Sequence, residues 1–189
     1  MYDNLEIDEK TWEKAERKLL EHASALALVN AGIAREELSC FVGGDLMNQI
    51  ITATFAARTI AAPYLGVFGA CSTSMEGLAL AALIADSGAG RYVMAGTASH
   101  NCTAEKQFRY PTEYGSQKPG TAQYTITGSG CAVVSSQGRG PRITHATIGR
   151  IQDLGVRTRS TWGRRWRPRP RIRWSPISAT PGGGRKITI

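Results

Sequence analysis

Cys71 stands in the string Gly69-Ala70-Cys71-Ser72-Thr73-Ser74-Met75-Glu76, where an apolar strand pattern gives way to an apolar helix pattern. A cysteine at such a junction meets free backbone N–H groups and the positive end of the helix dipole, and both favour the thiolate. The thiolate is the nucleophilic form, so the position suits acyl-thioester chemistry. The plainer reading of the same residue is a small core side chain, because free cysteines are commonly buried. Cys40, Cys102 and Cys131, together with Cys71, lie about 30 residues apart and form no C-x-x-C pair, which argues against zinc and against a small disulfide scaffold. Cys40, Cys102 and Cys131 read as packing residues. His22 lies on a charged helical stretch and His145 in a strand pattern, and neither is assigned a role.

The elements around Cys71 follow from periodicity. Trp12, Ala15, Leu19, Ala23 and Leu26 recur at spacings of three and four, which predicts an amphipathic helix from Thr11 to about Asn30 with Gly32 as its stop. Cys40–Gly44 reads as a buried strand, Asn48–Thr59 as a helix, and Tyr64–Phe68 as a second strand. Ser72–Ala85 is apolar nearly all round, which predicts a helix covered on both sides. Arg91–Gly96, Cys131–Val134 and Arg142–Ala146 read as further strands. Residues 100–130 are polar, rich in Gly, Tyr, Thr and Pro, and aperiodic; they read as a long functional loop. Strands alternating with helices imply a layered α/β fold with a mostly parallel sheet on a buried central helix.

The chain has 189 residues and a net charge of +8. That balance suggests a nucleic-acid or membrane partner only until the charges are located. Residues 1–156 hold 13 Lys and Arg against all 15 Asp and Glu, while residues 157–189 hold the other 10 basic residues and no acid. The body is mildly acidic and the tail alone is basic. No signal-peptide pattern opens the chain and no apolar run is long enough to span a bilayer, so a reducing, intracellular setting is expected, with membrane association only through a partner.

Longer strings carry a resemblance. The strand–Cys–helix unit at Cys71 resembles the active-cysteine elbow of thiolases and 3-ketoacyl carrier-protein synthases. Thr97-Ala98-Ser99-His100-Asn101, the run Ala104-Glu105-Lys106-Gln107-Phe108-Arg109-Tyr110-Pro111-Thr112-Glu113-Tyr114-Gly115, and Gln117-Lys118-Pro119-Gly120-Thr121 are similar to the stage V sporulation protein AD family. Gly44-Asp45-Leu46-Met47-Asn48-Gln49 and Thr127-Gly128-Ser129-Gly130 add to it, so the resemblance covers roughly residues 8–156. It implies the N-terminal half of a thiolase-like fold over residues 1–156, with the family's opening strand region missing. It also implies binding of dipicolinic acid, support for its uptake into the developing spore, and its release at germination. The implied partners are membrane proteins of the same stage V sporulation operon, at the cytoplasmic face of the spore inner membrane. A homodimer is expected of the full-length protein. No cofactor is implied beyond calcium accompanying the ligand, and no nucleic-acid partner.

Acyl transfer is not implied. Condensing enzymes of this fold complete the site with a His and an Asn or second His from the second half, which this chain lacks. Dipicolinate is a planar aromatic dicarboxylate, so its site needs cations or N–H donors and a flat face. His100, Arg109, Tyr110, Tyr114 and Lys118 are the candidates, beside Cys71. Arg109 and Lys118 fit equally as solvated charges, the tyrosines as loop packing, and His100 as a hydrogen-bonded structural residue. A condensing enzyme acting through Cys71 is the alternative reading. A half-fold with an exposed apolar helix is expected to be unstable and inactive by itself.

From Arg157 the character changes: Trp162, Trp166 and Trp174 lie among arginines, together with four of the eight prolines. Taken literally this resembles a segment that binds nucleic acid or a membrane surface. Read from the third base of each codon, however, residues 157–169 permit Asp-Pro-Leu-Asp-Met-Gly-Ala-Ala-Met-Ala-Pro-Ala, which resembles the family's own continuation. Residues 157–189 are therefore expected to be out of frame and disordered.

Overall fold

The architecture was analysed in a computed structural model, which describes residues 2–108, 124–148 and 187–188. The chain divides into one unit of Met1–Thr144 with Arg185–Ile189 and another of His145–Gly184. Of the second unit only residues 145–148 are described, and the expected tail lies outside the described residues apart from Ile187–Thr188. The following description concerns the first unit.

Helix α1 (Trp12–Ala31) begins at Thr11, whose hydroxyl accepts the Lys14 N–H at 3.3 Å, and stops at Gly32 with φ 65. A positive φ there costs glycine nothing, which is why the helix ends at this residue. Strand β1 (Cys40–Asp45), helix α2 (Ile51–Ile60), strand β2 (Tyr64–Gly66), helix α3 (Thr73–Ser87) and strand β3 (Tyr92–Ser99) follow in alternation. After them come α4 (Asn101–Phe108), β4 (Gly128–Ser135), β5 (Arg142–Ile143) and β6 (Ile187–Thr188).

The sheet order is β2-β1-β3-β4-β6-β5. β1 runs parallel to both β2 and β3, which requires the α2 and α3 crossovers, and β4 lies antiparallel to β3 over its full length. Side chains alternate between two cores. Phe41 and Met94 face α1 and α2, where they pack with Leu20, Ala53 and Ala57. Val42, Val93, Ala95 and Val134 face α3, where they pack with Ala81, Ala82 and Ala85. The layered α/β fold read from the sequence is the fold observed, and each fully buried large side chain such as Leu20 or Met94 contributes about 1.5–3 kcal/mol.

Four expectations need correction. The buried stripe of α1 is Ala15, Glu16, Leu20 and Ser24, one residue round from the expected one, and Leu26 is 63% exposed. The charged Glu16 lies inside the stripe, which hides its true phase from a hydrophobicity pattern. Helix α3 is covered by the sheet on one side only: Met75 is 62% and Leu83 52% exposed. The stretch 100–130 is not all loop, since α4 forms at its start, held by polar contacts that leave no apolar period. The last expected strand is shorter, ending at Ile143.

Candidate functional site

Cys71 sits in a turn of 3-10 helix, Ala70–Ser72, between β2 and α3. Ala70 has φ 49, the left-handed region that costs a Cβ-bearing residue roughly 1–2 kcal/mol. Such strain just before a side chain serves to aim it, here leaving Cys71 exposed at the mouth of α3. The turn is fixed from both sides. The Gly69 N–H donates to the Thr73 hydroxyl at 3.1 Å, and the Ser72 hydroxyl donates to the Glu76 carboxylate at 2.6 Å. Gly44 completes the support: any Cβ there would collide with the Val67 carbonyl, so only glycine lets the loop approach β1 this closely.

Cys71 opens onto a cavity of about 470 Å³. Ser74 of α3, Thr97 and Ser99 of β3, Ile126, and Ser129 of β4 form much of its wall. Three of these hydroxyls already donate to backbone carbonyls: Thr97 to Gly44, Ser99 to Ile126, and Ser129 to Thr97. Among the described lining residues, the Ser74 hydroxyl has no such backbone bond, while the first N–H of α3, that of Thr73, is taken up by the Ala70 carbonyl.

Cys40, Cys102 and Cys131 are each less exposed than Cys71. Burial pushes the Cys131 thiol up to about 12 and raises that of Cys40. A thiol at Cys131 is therefore held neutral against the sheet, as expected for a packing residue.

His100 is fully buried just after β3, next to Ser99 but not itself among the residues that line the Cys71 cavity. Its Nδ1 accepts the Cys102 N–H at 3.1 Å and its Nε2 lies 2.8 Å from the Leu5 carbonyl, so Nε2 carries the proton. Its ring packs against Trp12, with centroids 5.1 Å apart. The structural reading of His100 fits this placement. Arg109, Tyr110, Tyr114 and Lys118 lie outside the described residues. His145 is exposed at the end of the described stretch, and His22 is exposed on α1.

Two carboxyls were not among the sequence candidates. Asp45, at the end of β1, accepts the Thr52 and Ala53 N–H groups at 2.8 and 2.7 Å and caps α2 from a distance. Burial pushes its carboxyl up to about 6. Glu16 on α1 is 1% exposed, and burial, with Asp45 and Glu13 adding to it, pushes its carboxyl up to about 7. The signal for Glu16 was a lone acid at a position the neighbouring apolar residues mark as inward. For Asp45 it was a carboxylate ending an apolar strand just before a helix with no capping side chain of its own.

Comparison with known proteins agrees with this architecture. Residues 1–168 match the family described as Stage V sporulation protein AD. Over 155 residues the chain is 48% identical to Stage V sporulation protein AD of Bacillus subtilis (strain 168), covering 82% of this chain and 46% of that protein. The chain thus spans about half the length of the curated relative it matches. Among solved structures it is similar to 3-oxoacyl-[acyl-carrier-protein] synthase III from Aquifex aeolicus VF5, at a TM-score of 0.56 and 20% identity, covering 72% of this chain and 42% of that one. It is also similar to Xanthomonas campestris OleA H285N, at a TM-score of 0.50 and 15% identity, covering 62% of this chain and 39% of that one. At such identities these structures establish the fold alone, and that fold is thiolase-like. The match over residues 1–168, a range that includes Cys71, β3, α4 and β4, together with 48% identity over 155 residues, places the chain in the stage V sporulation protein AD family.

Proposed function

We propose that this chain is part of a sporulation protein that binds dipicolinic acid, supports its uptake into the developing spore, and takes part in its release at germination. The observation that carries the reading is the cavity of about 470 Å³ at the N-terminal end of α3. A dicarboxylate gains there from the positive end of the α3 dipole and from the Ser74 hydroxyl. Arg109, Tyr110, Tyr114 and Lys118 are proposed to add charge and a stacking face, with calcium accompanying the ligand. Among the described residues no helix is long and apolar enough to cross a membrane. Attachment to the inner membrane is therefore proposed to run through partner membrane proteins of the same operon, with the full-length protein a homodimer.

A second reading rests on Cys71 itself: an exposed thiol on a strained turn, in a fold shared with a 3-oxoacyl-[acyl-carrier-protein] synthase III. It makes the protein an acyl-thioester condensing enzyme. Calorimetric titration of dipicolinic acid, with and without calcium, tests the first reading. The chain and a version restored to its apparent reading frame are compared, and saturable binding by the restored protein is expected. Absence of binding by both, together with acylation of Cys71 by an acyl-CoA, favours the second.

A further inference from the structure

Two features of a strand-to-helix turn favour a thiolate: free backbone N–H groups and the positive end of the helix dipole. Around Cys71 three of those N–H groups are spent inside the turn. The Gly69 N–H donates to the Thr73 hydroxyl at 3.1 Å, and the Ser72 N–H to the Gly69 carbonyl at 3.0 Å. The Thr73 N–H donates to the Ala70 carbonyl. The positive end of the dipole is met by an acid. Glu76, in the first turn of α3, bends back so that its Oε1 lies 2.6 Å from the Ser72 hydroxyl. The same oxygen sits over Gly69, where any Cβ would overlap it.

The carboxylate therefore bridges Gly69 and Ser72, and Cys71 lies within that segment. A hydroxyl has one proton to donate, and 2.6 Å is in the range of a charge-assisted O–H···O⁻ bond. The Gly69 carbonyl, 2.9 Å from the same hydroxyl, is the weaker of its two acceptors. Among the described residues no lysine or arginine pairs with Glu76. No described residue lining the Cys71 cavity is charged, and Asp45, next to the lining Leu46, spends both oxygens on the α2 amides. No described cation thus offsets the Glu76 charge. A negative charge beside a thiol disfavours the thiolate, and an acid at the start of a helix offsets part of the dipole.

We propose that Glu76 is a positioning residue that also restrains the thiol: through Ser72 it holds the turn that presents Cys71, and its charge keeps the thiolate fraction there low. The turn thereby offers the thiol to the cavity without activating it. Such an arrangement suits a site that binds a ligand better than one that must attack an acyl thioester. The inference concerns the thiol alone and rests on neither reading of the function, but a restrained thiol counts against the condensing-enzyme reading.

Alkylation of Cys71 in the whole chain by iodoacetamide, an uncharged reagent, read by peptide mass spectrometry, tests this. Glu76→Gln keeps an oxygen to accept the Ser72 hydroxyl and loses the charge. It is expected to react about two- to fivefold faster than the native chain at neutral pH, the effect of one nearby charge in partly aqueous surroundings. The midpoint of its pH–rate profile is expected to lie lower, and the two rates to converge once the thiol is fully ionised in both. A purely structural role would leave that midpoint in place. An equal or slower rate in Glu76→Gln at neutral pH overturns the proposal, and so does a gain that persists undiminished at high pH. Should Glu76→Gln not fold, Ser72→Ala decides, because without its tether the carboxylate is free to turn to solvent. A faster Cys71 in that variant supports the proposal; an unchanged or slower one overturns it.

Discussion

Asp45 accepts the Ala53 N–H at 2.7 Å, tying the end of β1 to the first turn of α2 through a carboxylate rather than a neighbouring cap residue. Residue 50, which starts the helix, is an isoleucine with φ 53 and offers no side-chain acceptor. Asp45 therefore satisfies two amides that would otherwise be unpaired in a buried site. Replacing Asp45 by Ala is expected to cost about 1–3 kcal/mol, and by Asn less, because the amide oxygen still accepts one bond. Denaturant midpoints of the two variants check this; equal loss in both would contradict the cap.

The stability of the fold is expected to fall as pH rises from mildly acid to neutral. The folded-state carboxyls of Glu16 and Asp45 lie above their ordinary values, at about 7 and about 6, because of burial. The folded state thus binds protons that the unfolded state has already released. Their contribution is complete below the unfolded values of 4.5 and 3.8 and is lost as pH passes through 6 to 7. For Glu16 the loss is on the order of 3 kcal/mol. Comparing the pH dependence of unfolding in the native chain and in Glu16→Gln isolates it; a parallel dependence would refute it.

Thiol labelling is expected to separate the cysteines. Cys71 is exposed, whereas Cys131 is mostly covered and its thiol is pushed up to about 12. Iodoacetamide followed by peptide mass spectrometry is expected to modify Cys71 about tenfold faster than Cys131, or more. Similar rates would mean that β4 opens readily.

Ala70→Gly is expected to stabilise the chain or leave it unchanged. The substitution relieves the left-handed strain at φ 49 but adds freedom to the unfolded chain, so the net change is within about 1 kcal/mol. Reactivity of Cys71 is the second readout. If the strained turn aims the thiol, the glycine variant is expected to react differently while melting no lower.

The basic tail is expected to disappear when the gene is resequenced around Val156, with the restored frame replacing arginines by alanines. A confirmed frame that encodes Trp162, Trp166 and Trp174 would sink this reading.

Much of the fold was legible because its signals are local. Thr11 and Gly32 mark the ends of α1 by their own chemistry, and β1, α3 and β3 are continuous apolar runs bounded by glycine or charge. Cys71 was legible for the same reason, as a cysteine at a strand-to-helix change. What stayed hidden depends on partners distant in sequence. The α4 residues Asn101, Thr103 and Glu105 are polar and gain their order from Thr125, Thr127 and Glu16. The hydroxyl wall of the cavity draws on Ser74, Thr97 and Ser129, from three elements that only the sheet brings together. The phase of α1 misled because the inward position carries Glu16 rather than an apolar side chain.

The parallel register of β1 and β3, which sets Cys40 beside Val93 and Asp45 beside Ala98, also bears on how the chain is made. The ladder cannot begin to form until α2, β2 and α3 have all been synthesised, and β4 comes later still. Closing so long a loop precedes any reward from the β1–β3 pairing, so folding is expected to be slow and to start from α1 and α2 packing. During synthesis β1 can pair only with the short β2 until β3 emerges, its other edge open, and the nascent chain is most open to chaperones and proteases over that interval.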